Sequence, residues 1–410
     1  MMKKNAFYAQ SGGVTSVINA SASGVIEECR KLKKYIGKVY AGRNGILGAI
    51  NDDLIDTSFE SAKAIENLKF TPGGAFGSCR YKLSDVKKSE VDYQKILNTF
   101  EKYNIGYFFY NGGGDSQDTT NKLSKFCKLN KYDISCIGIP KTVDNDLPFI
   151  DNCPGFGSVA KYVSTSILEA GLDVASMSET STKVFVMEVM GRHAGWIAAS
   201  AALAGRDRNL PPHIILFPEI EFNKKRFLQE VKKCVSKHGY CVIVASEGVK
   251  AKGKFLTESS SKDAFGHAQL GGLAPLIVEM IKSNLNYKCH WAVADYLQRS
   301  ARHLSSKVDV DQAYKLGKFA VQQAVQGNTD RMVSIKRISS KPYKWKLITV
   351  PLSKVANVEK KLPKNYISSD GFYITSKCRD YLQPLIYGEL GPTYKNGIPV
   401  YSRLKNIKAK

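Results

Sequence analysis

The chain has 410 residues, of which 43% are hydrophobic and 24% are charged, and its 60 lysines and arginines against 37 aspartates and glutamates give a formal net charge of +23. This length suffices for two or three domains with buried cores, and the composition excludes a disordered or fibrous protein. Because the lysines are spread along the whole chain, the charge indicates solvated lysine-rich surfaces and predicts no specific nucleic-acid partner.

Short β-branched or aromatic runs alternate with helix-length segments, which predicts parallel strands joined by crossover helices in an α/β fold. The predicted strands are Ala6–Gln10, Ile105–Tyr110, Ile134–Ile139, Val184–Met187, Ile214–Phe217, Cys241–Ala245 and Lys346–Val350. The predicted helices are Val14–Lys33, Ser116–Lys128, Arg192–Ala204, Lys224–His238 and Gly272–Asn284.

A Gly/Pro/Asp-rich stretch at residues 140–157 separates two groups of these elements and predicts a switch between domains. The segment after about Met332 is richer in Lys, Tyr and Pro and contains no motif that indicates a function. In parallel α/β sheets, ligands bind at the carboxyl ends of strands. Functional residues are therefore expected in the loops that follow the strands.

Two such loops are rich in glycine. Residues 10–16 read Gln-Ser-Gly-Gly-Val-Thr-Ser, and residues 111–116 read Asn-Gly-Gly-Gly-Asp-Ser. Glycines let backbone N–H groups approach an anion at a helix N-terminus. The first loop is equally compatible with a tight turn. Three consecutive glycines cost backbone entropy, so the second favours a phosphate cradle over a turn with Asp115 or Ser116 as a helix cap.

A third loop, residues 138–148, carries two aspartates separated by one residue, Asp144 and Asp146, just after Lys141 and Thr142. The purely structural interpretation of this loop is an Asx-type turn with solvated carboxylates. Phosphoryl transfer requires a base for the attacking hydroxyl, positive charge for the phosphates and donors for their oxygens. This loop contains all three kinds of group.

The cysteines and the apolar runs indicate the cellular compartment of the protein. Nine scattered cysteines without a CxxC pair predict neither a disulfide framework nor a cysteine zinc site, which fits a reducing compartment. No apolar run reaches the length of a signal peptide or a membrane span. We therefore expect a cytoplasmic protein that does not bind a membrane.

Four motifs in order resemble the phosphofructokinase family: the first Gly-Gly loop, residues 112–116, residues 141–146 and residues 187–192. The resemblance runs from Phe7 to Gln326 and is closest to the pyrophosphate-dependent members. It implies reversible transfer of a phosphoryl group from diphosphate to the 1-hydroxyl of fructose 6-phosphate. It also implies two Rossmann-like three-layer domains with mainly parallel sheets and the active site in the cleft between them.

The resemblance further implies a division of the chain and of its site residues. Residues 1–155 with about 299–345 are expected to bind the phosphoryl donor, residues 156–298 the sugar phosphate, and residues 346–410 to form a C-terminal extension. Asp144 is the implied proton acceptor, assisted by Lys141 and Asp115. The implied sugar-phosphate ligands are Thr142, Asp144, Met190, Gly191, Arg192, Glu247, Tyr296 and Arg299. The implied diphosphate ligands are Gly12, Arg80 and Lys141.

Two positions bear on the donor and one on the metal. ATP-using relatives have glycine where this chain has Asp115 and Lys141, so the resemblance favours diphosphate: a carboxylate obstructs a nucleotide's α-phosphate, and an ammonium suits the compact donor. Relatives usually carry a magnesium-binding acid at the position of Gly114. Asp115 or Asp146 is therefore expected to hold Mg²⁺, through water if needed.

Lys183 and His290 stand where many ATP-using relatives place arginines that reach a neighbouring subunit's sugar site, which implies a homodimer or homotetramer. The sequence leaves other functions open. One is an ATP-dependent phosphofructokinase or a sedoheptulose 7-phosphate kinase. Another is a catalytically impaired homologue that binds sugar phosphates and regulates a partner, because the usual acid is missing at Gly114.

Overall fold

Two β-sheets organise the computed structural model, which describes residues 3–257 and 270–410. The strands are β1 Lys4–Gln10, β2 Ile36–Gly42, β3 Leu54–Asp56, β4 Ile105–Gly112, β5 Ser135–Pro140, β6 Val184–Val189, β7 Ile214–Leu216, β8 Cys241–Ser246, β9 Lys250–Ala251, β10 Lys254–Phe255, β11 Cys289–Val293, β12 Arg331–Ser340, β13 Tyr343–Pro351, β14 Tyr394–Lys395 and β15 Ile398–Pro399. The helices are α1 Ile18–Lys31, α2 Ile46–Ile50, α3 Ala62–Asn67, α4 Val86–Lys102, α5 Gly114–Leu129, α6 Phe156–Met177, α7 Trp196–Ser200, α8 Lys224–His238, α9 Leu273–Leu285, α10 Asp295–Ser300, α11 Lys307–Val325, α12 Leu352–Val355 and α13 Ser376–Leu382.

The larger sheet has seven strands in the order β13-β12-β5-β4-β1-β2-β3. Its central pairs are parallel, and an antiparallel strand closes each edge: β3 beside β2, and β13 beside β12. Its central strands are buried on both faces, as expected for a parallel sheet covered by helices. In β4, for example, Phe108, Phe109 and Tyr110 are fully buried.

The smaller sheet contains four parallel strands in the order β11-β6-β8-β7. Apolar clusters lie on both of its faces, one built around α6 and α7 and the other around α8 and α9. Two helix-covered, mainly parallel sheets confirm the predicted α/β class. The long helix α6, which the sequence analysis did not single out, begins at the end of the Gly/Pro/Asp-rich stretch and leads into the smaller sheet.

The residues after 345, expected to form a C-terminal extension, pack against both sheets. The boundary at residue 345 falls inside β13, which pairs with β12 as far as Pro351. Leu362, Ile374 and Leu382 then join the core beside α6 and α7. At the end of the chain, Ala409 donates its backbone N–H to the Leu54 carbonyl of β3. The C-terminal segment therefore links the two sheets.

The predicted helix Arg192–Ala204 is wrong at its start. Helix α7 begins only at Trp196 and spans five residues before a 3₁₀ turn. The Gly195 N–H donates to the Glu219 carboxylate (2.9 Å), which gives this amide a partner outside a helix. Arg192 and His193 consequently lie in the loop after β6. None of the helices in the described ranges is long and apolar enough to cross a membrane.

Candidate active site

Loops at the carboxyl ends of β1, β4, β5, β6 and β8 meet at a cleft of about 320 Å³, together with α10. This is the location that parallel sheets favour for ligands. The predicted site residues that line it are Gly12, Arg80, Gly114, Asp115, Lys141, Thr142, Asp144, Asp146, Met190, Arg192, Glu247, Tyr296 and Arg299. Gly191 lies just behind the lining, where its N–H donates to the Glu247 carboxylate (3.3 Å).

The side chain of Lys141 crosses from the end of β5 to the loop after β1. Its ammonium donates to the Gly13 carbonyl (2.6 Å), and the residue is only 3% exposed. Burial lowers the pKa of Lys141, and the nearby Arg299 guanidinium adds to this effect, so that the pKa is about 7. A group with this pKa gains charge readily when an anion binds beside it.

Glycines 12 and 13 allow cationic side chains to approach the backbone. Gly12 adopts a left-handed conformation (φ +72°), which other residues rarely take. A Cβ at Gly13 would lie 2.5 Å from Nη1 of Arg299 and 3.7 Å from Nη2 of Arg80. Arg299 stacks its guanidinium over the Tyr296 ring at 3.8 Å from the centroid. This corner of the cleft therefore concentrates positive charge.

Two carboxylates stand next to this positive corner. Burial raises the pKa of Asp144, and the neighbouring Asp146 and Glu247 carboxylates add to this effect, so that the pKa is about 7. Burial likewise raises the pKa of Asp146. The Asp144 N–H donates to the Thr142 hydroxyl (3.1 Å), which shapes the turn. Oδ1 of Asp146 is buried and has no hydrogen-bond partner among the described residues.

A third acid faces the cleft from the smaller sheet. Glu247 follows β8, and burial raises its pKa. Its carboxylate accepts the Gly191 N–H, and the Ser246 hydroxyl donates to the Gly191 carbonyl (2.6 Å). These bonds couple the loop after β6 to the end of β8. The cleft thus has one corner of concentrated positive charge, and it carries acids from both sheets, Asp144 and Asp146 after β5 and Glu247 after β8.

Asp115 lies in the first turn of α5 and is not its cap, because Gly113 holds that position without a side-chain bond. Its carboxylate pairs with Lys82 (2.9 Å) at the rim of the cleft. A Cβ at Gly114 would meet nothing within 4 Å. The space beside Gly114, where the resemblance led us to expect an acid, is therefore open in this chain.

The sequence analysis missed three residues at this site. His193 lines the cleft and pairs with Glu359 (2.9 Å), which arrives from the C-terminal segment. The adjacent Lys360 inserts beneath the loop after β5, where its ammonium donates to Asn145 Oδ1 and to the carbonyls of Ile150 and Asp151. The Glu-Lys-Lys run at residues 359–361 resembles an ordinary solvated charge cluster, so no local signal identified it.

Lys183 and His290 do not reach the cleft of their own chain. Lys183 immediately precedes β6, and its ammonium contacts the Glu179 carbonyl (3.5 Å). His290 is exposed on β11, one of the two edge strands of the smaller sheet among the described strands.

Comparison with known proteins shows which family and which relatives this chain resembles. A family model described as phosphofructokinase matches residues 5–324. A curated relative from Halomonas elongata, named pyrophosphate–fructose 6-phosphate 1-phosphotransferase, is 58% identical over 98% of this chain and 97% of its own length. A relative of the same name from Methylococcus capsulatus is 56% identical and covers 99% of this chain and 97% of its own length.

A solved structure extends this likeness to three dimensions. The crystal structure of a pyrophosphate-dependent phosphofructokinase from Marinobacter aquaeolei superposes with a TM-score of 0.92 at 56% identity and covers 99% of this chain and 97% of its own. Both the sequence and the arrangement of elements are therefore shared along the entire length.

Proposed function

This chain belongs to the phosphofructokinase family, and on that premise we propose that it transfers a phosphoryl group from pyrophosphate to the 1-hydroxyl of fructose 6-phosphate. The observation that supports this most is the proximity of two unlike kinds of group in one cleft. Half-buried Asp144, with its raised pKa, lines the same cleft as the cationic corner formed by Lys141, Arg80 and Arg299.

Asp144 acts as the general base. Its pKa of about 7 lies near the working pH of a general base, where a carboxylate combines adequate ionisation with adequate basicity. In the forward direction Asp144 takes the proton of the 1-hydroxyl as its oxygen attacks one phosphorus of pyrophosphate, and the bridging P–O bond breaks to release phosphate. In the reverse direction the protonated acid returns it. A proton acceptor poised near neutrality suits a reaction that runs both ways.

Lys141, Gly12 and Arg80 bind the donor. Pyrophosphate is compact and highly charged, so its binding raises the pKa of Lys141 and the ammonium becomes fully protonated against the phosphates. The developing charge on the transferring group is then stabilised by a cation already fixed in place by the Gly13 carbonyl. Lys141 thus combines a binding and a catalytic role.

The smaller-sheet side binds the sugar phosphate. Arg192 and Arg299 supply positive charge for the 6-phosphate, while Thr142, Met190, Gly191, Glu247 and Tyr296 line the sugar. Glu247 is suited to sugar hydroxyls, because its carboxylate accepts hydrogen bonds and is held by the Gly191 N–H. We therefore assign residues 1–155 with about 299–345 mainly to the donor and residues 156–298 mainly to the acceptor, with Thr142 and Arg299 of the first group also facing the sugar phosphate.

The acids of the cleft fit a magnesium ion. Asp146 Oδ1 is a buried oxygen without a partner among the described residues, and Mg²⁺ takes carboxylate oxygens while keeping several waters. Asp146 would hold the ion directly, and Asp115 through water, since Lys82 already engages its carboxylate. When bound, Mg²⁺ neutralises charge on the phosphates. The open space at Gly114 leaves room for those waters.

Initial rates with pyrophosphate and with ATP, each tested on fructose 6-phosphate and sedoheptulose 7-phosphate, test this proposal. We expect activity with pyrophosphate and fructose 6-phosphate, and a measurable reverse reaction. Asp115→Gly is expected to admit ATP, whereas Lys82→Met, which leaves the carboxylate in place, is not. A wild-type preference for ATP, or no transfer with either donor, would contradict the proposal.

We further propose a homodimer or homotetramer that forms through the edge strand β11. Trp291, Val293 and Leu297 are exposed beside His290, and an uncovered strand edge readily pairs or packs with another chain. This face continues into Tyr296 of the cleft. Light scattering at assay concentration tests the assembly: an active monomer would contradict it.

A further inference from the structure

A buried cluster outside the cleft contains one histidine and two cysteines. A ring nitrogen of His213 and the sulfurs of Cys234 and Cys241 lie within 4.8 Å of one another. Cys234 lies near the carboxyl end of α8, and Cys241 begins β8. Glu247 follows the opposite end of that strand. The phosphoryl transfer proposed above uses none of these three groups.

The hydrogen bonds of His213 argue against a metal ion at this cluster. Its Nδ1 accepts the backbone N–H of Val242 (3.0 Å). The proton of the neutral ring is therefore on Nε2, which is buried and has no other partner among the described residues. A metal-binding histidine needs a free lone pair on one nitrogen and a proton on the other, which it donates to an acceptor. Here one lone pair is occupied and the other nitrogen is protonated.

The two sulfurs are chemically unequal. A hydrogen bond from the Cys241 thiol lowers the pKa of Cys234 against the opposing effect of burial, and His213 lowers it further. Burial raises the pKa of Cys241 well above its usual range. One sulfur is thus disposed to be a thiolate and its neighbour to remain a thiol. This asymmetry characterises an attacking and a resolving cysteine.

We propose that Cys234 and Cys241 are a site of reversible disulfide formation when the protein meets a hydroperoxide. The turn between them brings the sulfurs together, because Gly239 ends α8 in a left-handed conformation (φ +81°) and the chain reverses into β8. The Cys234 sulfur also lies 3.4 Å from the carbonyl oxygen of Tyr240, the residue next to Cys241. Closing the sulfurs to a bond of about 2.05 Å requires only a local movement.

The chemistry balances with hydrogen peroxide as the oxidant. The Cys234 thiolate attacks one peroxide oxygen, the O–O bond breaks, and the leaving hydroxide takes a proton from solvent to become water. The Cys241 sulfur then attacks the sulfur of the resulting sulfenic acid. The S–S bond forms, and the hydroxyl leaves as water with the Cys241 proton. Two thiols lose two electrons, and the peroxide gains them.

Peptide mapping of the wild-type protein after peroxide treatment tests the proposal without relying on any variant. We expect two of the nine thiols to disappear, a cross-linked peptide joining residues 234 and 241, a mass decrease of about 2 Da, and full recovery with dithiothreitol. In Cys241→Ser, a sulfenic-acid probe is expected to label Cys234.

Cys289 provides the matched control. It is 5% exposed, against 8% for Cys234, but burial raises its pKa to about 11. Cys234 is expected to react at least about tenfold faster than Cys289, and Cys289→Ser should leave the cross-link unchanged. Equal rates, or oxidation of Cys234 without a cross-link, would overturn the proposal. So would one zinc ion per chain that is lost in Cys234→Ser, an outcome that would assign the cluster to a metal.

Discussion

Two lysines lie on opposite sides of the loop after β5: buried Lys141 belongs to this loop and faces the cleft, whereas half-buried Lys360 contacts the loop from beneath. They differ in how many of their ammonium donors are already engaged. Lys360 donates from beneath the loop to three oxygens, those of Asn145, Ile150 and Asp151. Lys141 faces the cleft and donates to one carbonyl among the described residues. Since an ammonium group has three donors, Lys360 is saturated, whereas Lys141 retains donors for a ligand.

Burial lowers the pKa of both lysines, so a shifted pKa alone does not separate the ligand-binding lysine from the supporting one. The two lysines are distinguished instead by how many hydrogen bonds each ammonium group can still donate and by whether it faces the cleft. The cleft side of the loop should govern chemistry and donor binding. The opposite side should govern how well the loop is positioned.

The largest expected effect is on the cleft side. Asp144→Asn keeps the size of the side chain but removes the proton acceptor, so kcat should fall about 10²–10⁴-fold. Binding of fructose 6-phosphate should remain largely intact, which calorimetry measures independently of turnover. Wild-type turnover across neutral pH would show that Asp144 is not the base.

Lys141→Met should act mainly on the donor. Loss of one charge-assisted contact costs about 1.5–3 kcal/mol, so kcat/KM for pyrophosphate should fall roughly 10–150-fold. The KM for fructose 6-phosphate should change much less. If the kinetics of both substrates are impaired equally, Lys141 does not act mainly on the donor.

Lys360→Met tests the supporting side, and Lys361→Met is its matched control. The first change removes one donor from each of three oxygens, whereas Lys361 is exposed. Asn145 Oδ1 keeps the Cys153 N–H and the Asp151 carbonyl keeps the Tyr381 hydroxyl, but the Ile150 carbonyl loses the side-chain donor that it has among the described residues. We expect Lys360→Met to lower the free energy of unfolding by about 1–3 kcal/mol and to reduce kcat roughly tenfold.

Substrate KM values should stay near wild type in both lysine variants, and Lys361→Met should match wild type throughout. A selective rise in the pyrophosphate KM of Lys360→Met would mean that Lys360 also faces the ligand.

The smallest expected effects are on the pH dependence of the rate and on proton uptake during binding. In the forward direction kcat/KM should rise with pH as Asp144 ionises, and fall as Lys141 loses its proton, which places a maximum near neutrality. In the reverse direction the acid must be protonated, so the rising limb should disappear.

Pyrophosphate binding to the free enzyme at about pH 8 should also take up a fraction of one proton, because the anion raises the pKa of Lys141. Calorimetry in two buffers of different ionisation enthalpy measures this uptake. Its absence in the wild type, or its persistence in Lys141→Met, would assign the proton to another group.

The structure was most predictable where local periodicity and local motifs coincide. Strands such as β4 and β8 are short apolar runs, and α8 lies at its predicted bounds because its asparagine cap and terminal glycine are encoded in adjacent residues. The glycine-rich loops and the Lys141–Asp146 motif could also be recognised from the sequence. They lie in the cleft because the carboxyl ends of parallel strands share one edge of a sheet.

Tertiary structure alone decided the rest. No local pattern places Lys360 beneath Asn145, 215 residues away in sequence, or pairs Glu359 with His193. Nor does spacing show that Nδ1 of His213 accepts an amide proton beside two sulfurs. These contacts depend on how the C-terminal segment and the smaller sheet pack. Burial then turns charged side chains that would be solvated on a surface into groups whose pKa and hydrogen-bonding capacity are set by their neighbours.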